Sequence, residues 1–466
     1  MAEARGIASR RSVLVHAAVA TPALFGWGAR LPGGGAADQT GPRIDERARV
    51  LNDTDARDIQ DVIDSARPHE IVAVTRNWNR TTSVLIDRPI TLTFDGGSLS
   101  TDIDIDLIVI RASGVRIVNA VLSGAGGDHS GLGRGIRALG TVERPIQNLT
   151  VTRAAIERFA HDGVLLEHCT NFEVVDSRIT DMGYAGVLMF SCADGLVARN
   201  TIERVTQPAP YPNSYGIEVV RSTSVGLDRA PRSTRIVVSD NHVSDVPFWE
   251  GIDTHGGEAI AILRNRVERC RVGIAVVPSK DEGNSDATKY APLRCSIVEN
   301  LVVRDDPGPG SGIVIRGAGE SVGSSAERAT GEVLRNTIVG YGDGDRDGAI
   351  LAYLTRGLVI AQNECRGGRR RAISLYHSNA EMTVRDNVIA ALEQQGTAPS
   401  VAVDVRSTDN DVIVIGNSHR TGAVLTPAYG LMCRQAGNDC FLIGNDWSGT
   451  APAVVAAPDV VVRHRE

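Results

Sequence analysis

The chain repeats a five-residue phrase: a small residue, an apolar residue, any residue, a second apolar residue and any residue. Clear copies begin at Gly163, Gly186, Gly216, Gly251, Gly273 and Gly312, and weaker copies at Gly135, Ala349, Ala372, Ser400 and Gly430. Several neighbouring copies start 22 or 23 residues apart, and the other intervals are longer. Self-similarity at such a period is typical of solenoids, in which each repeat adds one coil to a stack.

A second phrase, Asn-x-Ile or Asn-x-Val, follows the first in step. It occurs at Asn200, Asn241, Asn265, Asn300, Asn336 and Asn387. Apolar residues alternate around both phrases, which predicts short β-strands rather than helices. Asparagine tolerates left-handed backbone angles, so we expect these residues to occupy a tight turn between two short strands.

Together the two phrases resemble the pattern of the right-handed parallel β-helix of the pectate-lyase-like superfamily, over roughly residues 90–450. The resemblance implies an all-β, right-handed parallel β-helix solenoid, and the copies indicate about 11 or more coils. An all-β sandwich is the alternative, but a regular coil-length repeat is not typical of one.

One helix is predicted, from Asp55 to Ala66, with Asp53 or Thr54 as its N-cap. In the superfamily that the sequence resembles, such a helix caps the first coil and protects an open strand edge. The segment from Ile71 to Leu99 is then expected to hold the entry strands.

The N-terminus reads as a targeting signal. Arg10-Arg11 precedes a moderately apolar run at 13–29, and a small-residue stretch at 33–37 suits cleavage, which resembles a twin-arginine export signal over residues 1–37. A membrane anchor is the alternative, although the run is short. We expect residues 38–466 to form a single β-helix domain that is periplasmic or extracellular, with no membrane span after signal removal.

The charge and the cysteine content exclude some classes of ligand. The net charge of −7 and the pI near 5.9 argue against nucleic acid, since phosphate binding depends on clustered Lys and Arg. The seven cysteines show no metal-ligand spacing, so no metal site is predicted from them. Cys433 and Cys440 are predicted to form a disulfide, because an exported protein meets oxidising conditions. We expect a monomer.

The repeat register predicts a cluster of chemically active side chains. The second and fourth residues of each phrase point inward, so the third and fifth face outward. With coils about 4.8 Å apart, Glu218 should adjoin Asp253, and Asp253 and His255 should share one strand face. Arg316 should lie two coils further on. These four residues are the candidate catalytic group.

Insertions near 221–234, 279–294 and 317–330 flank the strand that carries His255. Long loops on either side of a short coil predict a groove with its floor at His255, and such loops often carry function. Six further residues near this groove are candidates for substrate binding: Tyr215, Trp249, Glu250, Lys280, Tyr353 and Tyr376.

The segment Glu250-Gly-Ile-Asp253-Thr-His255 resembles the Tyr-Gly-x-Asp-Pro-His motif of mannuronan C5-epimerases and their alginate-lyase relatives. Asp253 and His255 match, whereas Glu250 replaces the tyrosine and Thr254 the proline. The resemblance implies a lyase or C5-epimerase that acts on a linear, uronate-containing polysaccharide. His255 would abstract the proton beside the carboxylate, and Arg316 or Lys280 would neutralise that carboxylate.

In that reaction Tyr215, Tyr353 or Tyr376 would be the acid. A glycoside hydrolase or glycan transferase is the alternative enzyme, with Glu218 and Asp253, or Asp253 and Glu250, as general acid and base. A non-enzymatic periplasmic β-helix protein is the alternative outside catalysis. No cofactor is predicted, and Ca²⁺ would have only Glu218, Glu250 and Asp253 as ligands.

Overall fold

The computed structural model describes residues 49–465, except for 127–130, 209–212, 281, 284–286, 307, 324–326, 345, 369, 391, 393–399, 421–428, 449, 451–453 and 458–460. The predicted export signal at residues 1–37 lies outside the described residues. Arg49–Glu466 forms one compact unit. Among the described residues, no helix has the length and apolar character needed to cross a membrane.

The chain forms one short helix and many short strands. The helix α1 is Ile59–Ser65. The first strands are β1 Val50–Asn52, β2 Ile71–Val74, β3 Asn77–Asn79, β4 Val84–Ile86, β5 Thr91–Phe94, β6 Ser98–Ser100, β7 Ile108–Ile110, β8 Arg116–Val118, β9 Val121–Ser123, β10 Ile136–Leu139, β11 Ile146–Thr152, β12 Ala155–Glu157, β13 Asp162–Glu167, β14 Cys169–Val175 and β15 Arg178–Met182. The middle strands are β16 Ala185–Phe190, β17 Ala193–Ala198, β18 Thr201–Val205, β19 Tyr215–Val220, β20 Thr234–Ser239, β21 His242–His255, β22 Ala261–Leu263, β23 Arg266–Val277, β24 Ser279–Lys280, β25 Thr288–Tyr290, β26 Cys295–Val298, β27 Leu301–Val303, β28 Ile313–Arg316, β29 Gly331–Leu334 and β30 Thr337–Val339. The last strands are β31 Ile350–Tyr353, β32 Val359–Ala361, β33 Glu364–Arg366, β34 Arg371–Leu375, β35 Met382–Arg385, β36 Val388–Ala390, β37 Val401–Val405, β38 Asp411–Ile415, β39 Ser418–Arg420, β40 Tyr429–Cys433, β41 Asp439–Ile443, β42 Val454–Ala456 and β43 Val461–Arg465.

The strands stack into three parallel sheets that run the length of a solenoid. Sheet 1 has 16 strands, from β1 to β43, one from each successive coil. Sheet 2 runs from β3 to β39 and sheet 3 from β4 to β42. Strands β21 and β23 turn the corner without a break, pair within both sheets 2 and 3, and so join them. Apart from the antiparallel hairpin of β24 and β25, the strand pairs are parallel. The predicted parallel β-helix is confirmed, with more coils than the minimum of about 11.

The repeated phrase fills the core as its alternation predicts. Its second and fourth residues, such as Val164 with Leu166 and Ile217 with Val219, have no exposed surface. One continuous apolar cluster extends from Ile59 in α1 to the last coils. Hydrophobic burial between the sheets therefore holds the coils together.

Asparagines stack into a ladder at the corner between sheets 1 and 2. The side-chain oxygen of Asn300 accepts hydrogen bonds from the backbone N–H of Asn265, at 2.9 Å, and from its side-chain amide, at 3.0 Å. That amide also donates to the Val238 carbonyl, at 2.9 Å. The ladder comprises Asn200, Asn241, Asn265, Asn300, Asn336, Asn363, Asn387, Asn417 and Asn445.

The left-handed residue at this corner is the one before each ladder asparagine, so the expectation that asparagine itself takes that conformation is wrong. Arg264 and Glu299, for example, have φ angles of 52° and 59°. The asparagine side chain points inward instead, because its amide is needed to pair buried backbone groups. From coil to coil, the left-handed residues face outward and alternate between positive and negative side chains. Arg264, for example, pairs with Asp240 at 2.8 Å.

The capping helix is shorter than predicted. It begins at Ile59 rather than Asp55, and its N-cap is Asp58, whose carboxylate accepts from the Gln60 N–H at 2.8 Å. Asp53, one of the two predicted caps, is buried and accepts from the Thr75 N–H at 2.9 Å. Asp53 therefore binds the following coil rather than the helix.

The predicted disulfide is not formed. Cys433, at the end of β40, and Cys440, in β41, are buried free thiols. Their side chains are hydrogen-bonded to each other, which lowers the pKa of Cys433 and raises that of Cys440. The two residues are neighbours, as the prediction requires, but no covalent bond joins them.

We predict that Asn300→Ala strongly destabilises the fold. The change leaves the backbone and side-chain N–H groups of Asn265 and the Ile262 carbonyl without their partner. Each buried unpaired group costs about 1–3 kcal/mol, so the free energy of unfolding in urea should fall by about 3 kcal/mol or more. Glu299→Gln, next along the chain, loses only an exposed ion pair and should cost less than about 1 kcal/mol. Equal effects of the two changes would contradict this role of the ladder.

Candidate active site

The strand register places Glu218, Asp253 and His255 in two neighbouring strands of sheet 3. Glu218 in β19 is the direct partner of Asp253 in β21, and Tyr215 is the partner of Glu250. The predicted adjacency of Glu218 and Asp253 is therefore confirmed. His255 lies two residues beyond Asp253, on the same face of β21.

Local sequence explains why β21 holds these residues so closely. Gly251 begins the repeated phrase, and a Cβ there would lie 2.4 Å from Val267 Cγ1, so only glycine lets the coils approach. Thr254 takes a core position that is apolar in the other clear copies. Its hydroxyl donates to the Val219 carbonyl at 2.8 Å, so the polar group is satisfied.

The row that was expected to face solvent is covered. Glu218 is 5% exposed and Asp253 has no exposed surface. A small apolar cluster, separate from the main core, packs on this outer face beside them. It contains Leu165, Ala185, Leu188, Tyr215 and Val220. The alternation of the repeated phrase predicted the correct face of the strand, but it did not predict that side chains of neighbouring coils close over that face.

Asp253 is paired with His255. The His255 Nε2 lies 3.0 Å from Asp253 Oδ2, and its Nδ1 lies 3.3 Å from the Pro278 carbonyl. About a third of the His255 side chain is exposed, whereas Asp253 is enclosed. The second oxygen of Glu218, Oε2, is buried and has no hydrogen-bond partner among the described residues.

Burial and the negative charge of Asp253 together shift the pKa values of its neighbours. Burial, and then repulsion from Asp253, holds the pKa of Glu218 well above its usual value. The same two causes raise the pKa of Glu250 to about 8. Burial alone would lower the pKa of His255, but attraction to Asp253 raises it to about 10. Proton-bearing groups thus surround one buried carboxylate.

Further residues of the site were not found from the sequence. Tyr184 contacts Tyr215 edge-on, with ring centroids 5.4 Å apart, and stacks on His161 at 4.5 Å. Burial, followed by repulsion from Glu218, raises the pKa of the Tyr184 hydroxyl. Asp162, in the same row as Tyr215 and fully buried, has an oxygen without a hydrogen-bond partner in the described part of the chain. This row is formed by the residues that directly precede the glycine of each phrase. Asp162 could have been found from the sequence by that position.

The remaining predicted residues lie outside this cluster. Arg316 is two strands further on, as predicted, but its guanidinium lies over the Tyr353 ring at 5.2 Å. Trp249 is 36% exposed and is covered by Arg271, at 4.6 Å. Lys280 is exposed on the hairpin of β24 and β25. The structure therefore does not bring Arg316 or Lys280 into contact with the carboxylates.

The three inserted loops contact one another rather than standing apart on two sides of His255. Arg221 donates to the Lys280 carbonyl at 3.3 Å, and the Gly319 N–H donates to Thr288 Oγ1 at 2.8 Å. Arg232 forms an ion pair with Glu327. These contacts join the described residues of the segments 221–234, 279–294 and 317–330 into one wall at the edge of sheet 3.

Glu218, Asp253 and His255 could hold a divalent cation, since one ligand atom from each lies within 4.8 Å of the others. The set does not fit Ca²⁺, which takes six to eight oxygen ligands. In addition, His255 Nε2 is already paired with Asp253. The present geometry is that of an ion pair between Asp253 and His255 beside a buried carboxyl group.

Comparison with known proteins supports the architecture. Residues 107–289 match the family described as right handed beta helix region. A tailspike protein mutant of E. coli bacteriophage HK620, solved in complex with a hexasaccharide, is similar with a TM-score of 0.55 and 10% identity, over 84% of this chain and 73% of that chain. None of the curated proteins matches the chain.

Two other structures are similar at lower scores. The catalytic domain of a GH87 alpha-1,3-glucanase in complex with nigerose has a TM-score of 0.47 and 11% identity, over 92% of this chain and 70% of that chain. PfbA, a surface adhesin of Streptococcus pneumoniae, has a TM-score of 0.45 and 13% identity, over 83% and 86%. The family match and the likeness to the HK620 tailspike show that the fold is a right-handed parallel β-helix, as the sequence predicted.

We predict that Asp253→Asn lowers the pKa of His255 from about 10 by at least about one pH unit, since the paired charge is lost while burial remains. The folded-state pKa is raised above 6.5, so the pair's stabilisation is fully present below pH 6.5 and is lost as the pH rises through about 10. Ring carbon shifts followed by NMR against pH measure the change. Asp176→Asn, which removes a surface carboxylate paired with Arg199, is the control and should leave His255 unchanged.

Proposed function

We propose that the protein is a carbohydrate-active enzyme that hydrolyses a glycosidic bond, with Glu218 as the proton donor. The observation that carries the proposal is the burial of Glu218 and Asp253 side by side, with a Glu218 oxygen that has no partner among the described residues. Burying two carboxyl groups without compensating contacts is costly, and such groups are a frequent mark of functional sites.

The charges favour acid catalysis. Asp253 has no exposed surface, so it acts through its neighbours rather than on a substrate. Its charge keeps a proton on Glu218, which donates that proton to the leaving glycosidic oxygen. Glu250 is partly buried, and its pKa is raised to about 8, so it serves as the base that activates water once the pH passes that value. A pair of carboxyl groups that act as acid and base is typical of glycosidases.

The fold is compatible with this substrate class. The HK620 tailspike, which shares the architecture, was solved with a hexasaccharide bound. A row of outward side chains along parallel coils also suits a linear polymer, since the coils repeat every ~4.8 Å along the solenoid.

The lyase or epimerase expected from the motif around Asp253 has weaker support. That chemistry needs an unprotonated base beside the substrate carboxylate, and a pKa of about 10 keeps His255 protonated at neutral pH. It also needs a cation on the substrate carboxylate next to His255, and Arg316 lies two strands further along sheet 3. An increase in unsaturated-uronate absorbance on digestion of polyuronates would favour the lyase.

We predict that Glu218→Gln lowers kcat by about 10²–10⁴-fold on natural glycans, because the amide cannot donate the proton. New reducing ends released from a panel of polysaccharides measure the rate. Aryl glycosides with good leaving groups need little protonation and should retain most of their rate. Glu167→Gln is the matched control, since Glu167 lies on the same sheet two strands away. Full activity of Glu218→Gln on natural glycans would refute the assignment.

We also predict that kcat/KM rises with pH through about 8, as Glu250 loses its proton. Asp253→Asn should move this limb to lower pH, since the charge that raises the pKa of Glu250 is removed. A pH–rate profile of the two proteins measures the shift. If the limb keeps its position in Asp253→Asn, Asp253 does not set the protonation of Glu250.

A further inference from the structure

A second group of polar side chains lies on the outer face of sheet 3, further along the solenoid. Arg316 in β28 is the direct partner of Tyr353 in β31, and Tyr376 follows in the next coil. These residues continue the row that contains His255, which pairs with Val277. At about 4.8 Å per strand, Tyr353 and Tyr376 lie roughly 14 and 19 Å from His255 along the solenoid.

The two tyrosine rings and two arginines form one surface, here called the platform: Arg316, Arg346, Tyr353 and Tyr376. The rings meet edge to face, with centroids 5.9 Å apart. The Arg316 guanidinium lies over Tyr353 at 5.2 Å, and that of Arg346 lies over Tyr376 at 5.3 Å. Both rings are partly exposed and Arg346 is exposed. The platform therefore offers flat aromatic surface with cationic groups at its edge.

Charged side chains of both signs lie around the platform. The cations are Arg316, Arg328, Arg346, Arg371 and Arg406, and the carboxylates are Glu320, Asp404 and Asp409, with Asp343 and Asp347 close to Arg346 in sequence. Asp404 is buried and paired with Arg371, at 2.5 Å. Glu320 is three-quarters exposed and lies 3.8 Å from Arg316, too far for a strong pair in water. The charges that act most strongly on the Tyr353 hydroxyl are those of Arg316 and Arg346, ahead of that of Glu320.

Arg316 has donor capacity to spare. Its side chain is one-quarter exposed, and its Nε is buried with no hydrogen-bond partner in the described part of the chain. The hydrogen bond from its Nη2 to the Gly319 carbonyl is long, at 3.4 Å. A guanidinium with unused donors is suited to bind a carboxylate or sulfate through two parallel hydrogen bonds.

The candidate active site differs in charge. Its one cationic side chain within the cluster, His255, is already paired with Asp253 at 3.0 Å, and Glu218 and Glu250 adjoin it. Arg271, which lies close enough to Glu250 to lower its pKa, covers the Trp249 ring at 4.6 Å and donates to the Phe248 carbonyl. Carboxyl groups outnumber cations beside Glu218, which disfavours a sugar carboxylate or sulfate there, whereas two arginines lie against the rings of the platform.

We propose that the platform is a distal subsite that binds an anionic sugar, bearing a carboxylate or sulfate, in the same linear chain whose uncharged linkage is cleaved at Glu218. The substrate class is thus an acidic heteropolysaccharide, in which a charged sugar lies a few units from the cleaved bond. The arginines bind the anionic group, and the tyrosine rings stack on the apolar face of the sugar. This inference rests on the proposed hydrolysis, but its test does not require turnover.

Calorimetric binding to the full chain tests the subsite, with Glu218→Gln as the background so that no ligand is cleaved. The ligands are oligosaccharides of hyaluronan, chondroitin sulfate and a sialylated glycan, each with its carboxyl-reduced or desulfated counterpart, and a neutral dextran oligosaccharide. At least one acidic ligand should bind at least about 10-fold more tightly than its neutralised counterpart. Loss on carboxyl reduction assigns a carboxylate, and loss on desulfation assigns a sulfate.

Arg316→Gln combined with Arg346→Gln should weaken binding of that acidic ligand at least about 10-fold and leave its neutralised counterpart unchanged. Arg199→Gln combined with Arg264→Gln removes the same charge from the asparagine-ladder corner and should change neither affinity. Added salt should weaken only the platform-dependent binding.

Three results would overturn the subsite: no acidic ligand binds, neutral and acidic ligands bind equally, or the platform double variant binds as tightly as its control. Failure of the proposed hydrolysis is recognised separately. In that case Glu218→Gln keeps the activity of the unchanged protein, while the affinity differences at the platform persist.

Discussion

The in-register stacking of each coil on the next is the constraint on which the rest of the molecule depends. Parallel strand pairing fixes the spacing, and the buried asparagine ladder fixes the register at the corner between sheets 1 and 2. Each ladder asparagine binds one neighbour through its oxygen and another through its amide, so a slipped coil would leave several buried groups unpaired. Residues one coil apart in sequence therefore become direct strand partners. Glu218 lies beside Asp253 for this reason, although they are 35 residues apart.

This rigidity permits an arrangement that would be unfavourable by itself. Asp253 is a carboxylate without exposed surface, and its one ion pair in the described part of the chain is with His255. Desolvation of such a charge costs several kcal/mol unless contacts offset it. The coils on either side are held by backbone pairing and by core burial, so neighbouring side chains take up protons rather than move away. The raised pKa values of Glu218, Glu250 and His255 are the electrostatic result of that confinement.

The sequence predicted the solenoid, the strand register and the pairing of Glu218 with Asp253, because period and alternation are properties of the chain itself. It did not predict the burial of those residues, which depends on side chains such as Leu188 and Tyr215 from adjacent coils. It wrongly placed the left-handed turn at the asparagine. The backbone preference of asparagine does not reveal that its side chain is needed to bind a buried carbonyl. Tyr184 was missed because it precedes the repeated phrase and only the completed coil brings it to Tyr215.

The wall formed by the inserted loops bounds the outer face of sheet 3 on one side. It lies at the edge where the fifth residue of each phrase leaves the sheet, beside the row from His255 to Tyr376. A ligand bounded on that side can extend along the solenoid axis but not across it. The carboxyl cluster and the platform both lie along this row. The cluster contains carboxyl groups with raised pKa values, and the platform contains arginines. Rigid coils hold the carboxyl cluster and the platform a fixed number of strands apart. In the proposed reaction, the spacing of charged sugars along the polymer would therefore determine which linkage lies at Glu218.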